Sequence, residues 1–172
     1  LGEGGLLMHR DSFGRALIPL FSNQFESATY LRGVPFDIYG NIDGKSVVVR
    51  EIVERNIGTL LERAPIVPAH KLTAISDNSV HTEASVFLSE QAASGKLTHF
   101  YGYADLDGGE SVNYRVFARI GEEYYEGFPV YEYALEEKYG VEKDRVGFSF
   151  YFESETYSAF GGTAPEIYIF SE

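Results

Sequence analysis

Between Ser79 and Ile120 hydrophobic and polar residues alternate with a period of two, the spacing of strands that bury one face and wet the other. In Leu97–Leu106 one parity carries Phe100, Gly102, Ala104 and Leu106, and the other carries His99, Tyr101, Tyr103 and Asp105. In Ser111–Ile120 the apolar parity is Val112, Tyr114, Val116, Ala118 and Ile120, set against Ser111, Asn113, Arg115, Phe117 and Arg119. A two-residue turn at Asp107-Gly108 would mix the two kinds on both faces. A three-residue loop, Asp107-Gly108-Gly109, keeps them apart, pairing Phe100 with Val116, Gly102 with Tyr114, Tyr101 with Arg115 and Tyr103 with Asn113. The loop Gln91–Gly95 adds the preceding strand, with Val86 opposite Phe100 and Ala84 opposite Gly102. The pattern thus predicts three consecutive antiparallel strands. On their polar face His81 falls opposite Asp105, Glu83 opposite Tyr103 and Phe87 opposite His99.

The remaining segments are read the same way. Residues 1–33 give weak signals and are expected to form an arm across the core, with Pro19 interrupting any helix in Phe13–Phe21. Val34–Val49 reads as a hairpin about Asp43-Gly44, which would set Asp37 opposite Arg50. Ser46–Arg63 is ambiguous: Val47 and Val49 favour a strand, Leu60 and Leu61 a helix, and Pro65 and Pro68 end both. Lys71–Ile75 suits a short strand and Glu122–Gly127 an acidic loop. Pro129 and Gly140 would bracket a helix. Arg145–Ser154 is a strand with Phe148, Phe150 and Phe152 on one face, Ala159–Gly162 a turn, and Glu166–Phe170 a last strand. The expected fold is mainly β (a β-rich α+β domain): an antiparallel barrel or sandwich with one or two helices. Residues 34–172 form its single domain.

Composition narrows the function classes. A chain of 172 residues with 44% hydrophobic and 15% aromatic content fills one core. It has no cysteine, so disulfides and thiolate chemistry are excluded. A net charge of −12 argues against nucleic acid as partner, because phosphate binding is driven by Lys and Arg. No apolar run approaches a membrane span. No signal peptide is visible, so a soluble and cytoplasmic protein is expected.

In Tyr139–Phe170, the helix end, the strand Arg145–Phe152 and the loop Ala159-Phe160-Gly161-Gly162 are similar to the macrophage migration inhibitory factor pattern of the tautomerase superfamily. That resemblance implies catalysis by an N-terminal proline. Leu1 stands at that position, so the family's catalytic residue has no counterpart and its activity is not carried over.

The polar face of the three strands is the candidate site. His81 or His99 would move protons, with Glu83 or Asp105 orienting the base. Arg115, Asn113, Tyr101 and Tyr103 would hold a polarised oxygen, and Phe87 and Phe117 would supply an apolar wall. In a barrel this face would line a pocket for a small-molecule ligand, suited to an isomerase, cyclase or lyase that needs no cofactor and no metal. The alternative is a non-catalytic acidic interaction or assembly module, in which the aromatic face meets a partner or a second copy in a homo-oligomer. Plain solvated sheet accounts for His81 and Asp105 equally well, but it leaves four aromatic residues on that face unexplained.

Overall fold

The computed structural model describes residues 3–33, 36–76, 78–92, 96–105, 114–130 and 145–171. The chain gathers into two compact units, Leu1–Val67 and Pro68–Glu172. The division between these units falls beside Pro68.

The first unit is built on a parallel sheet of β1 (Gly5–Arg10), β2 (Ser27–Arg32) and β3 (Val47–Arg50), in the order β2-β1-β3. Leu6, Leu7 and Met8 of the central strand are fully buried. A parallel strand covered on both faces reads as an unbroken apolar run, which explains why alternation does not reveal it. The expected N-terminal arm is thus two of the three strands and the helical connection between them. Pro19 does not interrupt a helix; it sits in the first turn of α1 (Ile18–Ser22), where its missing N–H costs nothing. The expected Val34–Val49 hairpin is also corrected. Gly44 does turn the chain at a φ of 69°, but it delivers β3 onto β1 in parallel. Arg50 consequently lies beside His9, and Asp37 bridges to Ile66. The ambiguous stretch divides as its composition suggests, into β3 and then the short α2 (Thr59–Glu62).

The second unit is an antiparallel sandwich. One sheet holds β6 (Ala84–Ala92), β7 (Leu97–Asp105), β10 (Phe128–Val130) and β11 (Arg145–Glu153), in the order β10-β11-β7-β6. The other holds β4 (His70–Leu72), β5 (Val80–His81), β8 (Tyr114–Ile120), β9 (Glu123–Glu126) and β12 (Glu166–Ser171), in the order β4-β9-β8-β12-β5. Among the described residues no ladder joins the two sheets, so they are stacked and not closed into a barrel. Phe100, Ala104, Val146, Phe148, Phe150 and Phe152 from one sheet meet Tyr114, Val116, Ala118, Ile120, Tyr125, Ile167 and Ile169 from the other in a single core. The Tyr114 hydroxyl lies 3.1 Å from the Val130 carbonyl and 3.0 Å from that of Gly147, fastening the sheets across this interface.

The expected triplet of strands is therefore split. β7 pairs with β6, as anticipated, but its other neighbour is β11, and β8 belongs to the opposite sheet. Both β7 and β8 carry one apolar face, and packing those faces against each other buries both. The β6–β7 register is also displaced by two residues, with Val86 opposite Gly102 in place of Phe100. A slip of two keeps every side chain on its expected face. Glu123–Glu126, expected as a loop, forms the return strand of a hairpin with β8. Pro129 lies in the edge strand β10 and opens no helix; an edge position tolerates the missing N–H. The rest of that expected helix, the Asp107-Gly108-Gly109 loop and Asn113 lie outside the described residues. No helix among the described residues is long and apolar enough to cross a membrane.

Two predictions follow from this packing. A Cβ on Gly102 would collide with the Ser85 carbonyl oxygen and the Phe148 ring. Gly102→Ala should therefore destabilise the sandwich by about 1–3 kcal/mol, read from urea unfolding. In the first unit, burial holds the His9 imidazole below its ordinary value, and the nearby Arg50 charge adds to this, against the raising effects of the Asp37 backbone and charge. A group depressed in the folded state contributes stability above its unfolded pKa and loses it as pH falls through the folded value. Stability should thus drop below about pH 6.5, and His9→Phe should flatten that part of the pH profile.

Candidate functional site

The structure divides the expected site between the outer faces of the two sheets. On the four-stranded sheet, His99, Tyr101 and Tyr103 of β7 alternate with the core residues Phe100 and Ala104 and meet register partners on both neighbours. His99 lies opposite Tyr151 and Ser89, Tyr101 opposite Ser149 and Phe87, and Tyr103 opposite Gly147 and Ser85. Phe87, His99, Tyr101 and Tyr103 are thus brought together as expected. His81, Arg115 and Phe117 are on the outer face of the five-stranded sheet instead.

Four rings form a continuous row across the strands of the first face. Tyr151 stacks on His99 at 4.2 Å and 10°, His99 on Tyr101 at 5.0 Å and 29°, and Tyr101 on Phe87 at 5.6 Å and 29°. Tyr103 adds a tilted contact to Phe87 at 6.1 Å. Cross-strand neighbours on a twisted sheet lie close enough for such stacking, and each aromatic pair contributes roughly 0.2–1 kcal/mol. The His99 ring is fixed by a 2.8 Å hydrogen bond between its Nε2 and the Ser149 hydroxyl. Ser149 and Tyr151 are buried, whereas Phe87, His99, Tyr101 and Tyr103 are half-buried. The result is an apolar ridge with hydroxyl and imidazole groups among its rings.

The second face is an ion-pair lattice. Arg115 Nε donates to Glu126 at 2.8 Å, and its guanidinium lies 5.2 Å from the Phe117 ring. Arg119 reaches Glu166 at 3.4 Å, and Tyr124 and Tyr168 pack edge to face beside it. His81 is exposed and packs against Tyr168, its cross-strand partner, at 5.2 Å. Exposed pairs of this kind contribute little to stability, well under about 1 kcal/mol each. At the sheet edge Lys71 binds the Glu123 carboxylate, which also accepts from the Tyr125 hydroxyl at 2.6 Å. Lys71 first, then Tyr125, holds the Glu123 carboxyl below its usual range, while burial and this same contact push the Tyr125 phenol up.

The expected His81–Asp105 pairing is not formed. Asp105 lies in β7, where its register partner is Arg145, and β5 docks on β12 because Val80 and His81 extend the five-stranded sheet. Glu83 is exposed in the link between β5 and β6, and the expected register with Tyr103 is taken by Ser85. Among the described residues no three His, Asp or Glu converge as a metal site.

Two members of the aromatic face were missed by reading the sequence. Tyr151 and Ser149 occupy the alternate positions to Phe148, Phe150 and Phe152, so the parity of β11 already implied them. What the parity could not supply was that β11 lies next to β7. Ser149→Ala should cost about 0.5–1.5 kcal/mol in urea unfolding, because it strips His99 of its hydroxyl partner. No protein-family model matches the chain, and no curated protein or solved structure is significantly similar to it.

Proposed function

We propose that the protein is a ligand-binding protein that uses the outer aromatic face of its four-stranded sheet, and that its ligand is a carbohydrate. The observation that carries this reading is the unbroken row Tyr151–His99–Tyr101–Phe87, flanked by Tyr103 and anchored through Ser149. Rings with polar tips suit partners that offer both C–H faces and hydroxyl groups, and sugars offer both. Tyr101 and Tyr103 each add a phenolic hydroxyl, a group that can both donate and accept. The sheets are stacked and not closed, so this face does not line a barrel lumen. That favours reversible binding over enclosed acid–base chemistry, as does the placement of His81 and the Asp105 backbone on strands of different sheets.

The test is affinity electrophoresis of the purified protein through gels containing soluble polysaccharides of different sugar composition. At least one should retard the wild type. Tyr101→Ala should weaken that retardation about tenfold, equivalent to about 1.4 kcal/mol. Arg115→Ala, on the other sheet, should leave it unchanged. If no polysaccharide retards the protein and it instead forms a dimer disrupted by Tyr101→Ala, the face is a subunit interface and the carbohydrate reading is wrong.

A further inference from the structure

The first unit contains buried donors that its own residues leave unused. The order β2-β1-β3 means that the chain leaves β1 towards one side and returns from β2 to the other. In open parallel sheets the crevice at the carboxyl ends of the two strands flanking such a reversal is where ligands bind. Here those strands are β1 and β3, and His9 and Arg50 are register neighbours near their carboxyl ends.

The Arg50 guanidinium lies over the Phe36 ring, with its Cζ 2.9 Å from the ring centroid. Its Nε and Nη2 are shielded from solvent and have no hydrogen-bond partner among the described residues. These two nitrogens form one edge of the guanidinium, the edge that grips both oxygens of a carboxylate. A buried donor pair without an acceptor is unusual in a native protein, and a buried guanidinium without a counter-charge is costly. Burial lowers the Arg50 pKa to about 10, which still leaves it charged at neutral pH.

His9 has the complementary deficit. Only 4% of it is exposed, and its Nε2 has no hydrogen-bond partner among the described residues. Burial lowers the pKa of the ring and the Asp37 backbone raises it, with the balance below the ordinary value. The ring is therefore uncharged at neutral pH, and one of its two nitrogens is an acceptor. The acids around these strand ends are engaged elsewhere. Asp11 accepts from the Phe13 and Val53 amides at 2.7 and 2.8 Å, Glu51 from the Asp11 amide at 3.1 Å, and Asp37 from the Gly40 amide at 2.8 Å.

We propose that the carboxyl ends of β1 and β3 bind a small 2-hydroxycarboxylate, its carboxylate on the Nε–Nη2 edge of Arg50 and its hydroxyl donating to His9 Nε2. The closed state of this edge means that the ligand enters by displacing what covers it, and the bound form is the one in which the guanidinium is satisfied. The site lies wholly within the first unit and does not depend on the aromatic face.

Glycolate is the smallest probe with both groups, and acetamide is its uncharged control. Calorimetric titration of the full chain should show saturable glycolate binding and none for acetamide. Arg50→Lys keeps the charge but loses the fork, and should weaken glycolate binding at least tenfold. His9→Phe should narrow the preference for glycolate over acetate. Absence of saturable glycolate binding to the wild type, or equal binding by Arg50→Lys, would overturn the proposal. Should the Arg50→Lys protein not fold, the arginine Nε–H signals of the wild type decide. One buried signal must shift on adding glycolate and stay in place with acetamide; if none moves, the proposal falls.

Discussion

The sandwich depends on the close contact between an apolar strand face and positions that have no side chain. Phe148, Phe150 and Phe152 fill the space between the sheets, and they can do so because Gly102 and Gly127 leave room for them. Gly127 has the stricter role. It donates its amide to Val116 of one sheet at 3.0 Å, just before the chain enters β10 of the other. A side chain there would strike the Phe150 ring, so the crossing between sheets and the filling of the core use the same few cubic ångströms. Interiors packed to crystal-like density leave no slack for a compromise. Every other placement in this unit follows from it, including the outward turn of His99, Tyr101 and Tyr103.

The two units solve the problem of polar groups in opposite ways. In the sandwich the charged residues are on the outer face of the five-stranded sheet, where Arg115 and Arg119 each meet a glutamate in water. In the first unit two nitrogens of Arg50, Nε and Nη2, are shielded from water with no hydrogen-bond partner among the described residues. The first arrangement is forgiving, because solvent screens any error. The second is not, since desolvation removes the alternative of bonding to water. A chain with a net charge of −12 has no shortage of carboxylates, so leaving those two nitrogens without an acceptor is a property of that place and not of composition.

Much of this was legible in the sequence, and the boundary between what was and was not has a physical cause. The parity of Phe100–Ala104, of Tyr114–Ile120 and of Val146–Phe152 told correctly which side chains fill the core between the sheets, because alternation is imposed by the backbone. Even the two-residue slip between β6 and β7 left Phe87 on the same face as Tyr101. Which strand neighbours which was not legible. An apolar face can be satisfied by joining the same sheet or by facing it from another, and the alternation of β8 is identical in both cases. That single degeneracy moved Arg115, Phe117 and His81 away from the tyrosines. The parallel unit escaped for a different reason: Leu6, Leu7 and Met8 are buried from both sides, and a run without alternation does not distinguish strand from arm.

The passage of β7 and β8 into different sheets also bears on how the chain reaches this state. The neighbour β7 acquires is β11, and residues paired between them stand 40 to 56 positions apart, from Asp105 with Arg145 to Leu97 with Glu153. The β6–β7 and β8–β9 ladders can close as hairpins, but the central β7–β11 ladder has to wait until distant segments find each other. Chains dominated by such pairings cross their folding barrier slowly, on the millisecond-to-second scale typical of sandwiches. Until that ladder closes, the aromatic edges of β7 and β11 are unpaired, so the interval before docking is when this protein is most prone to self-association.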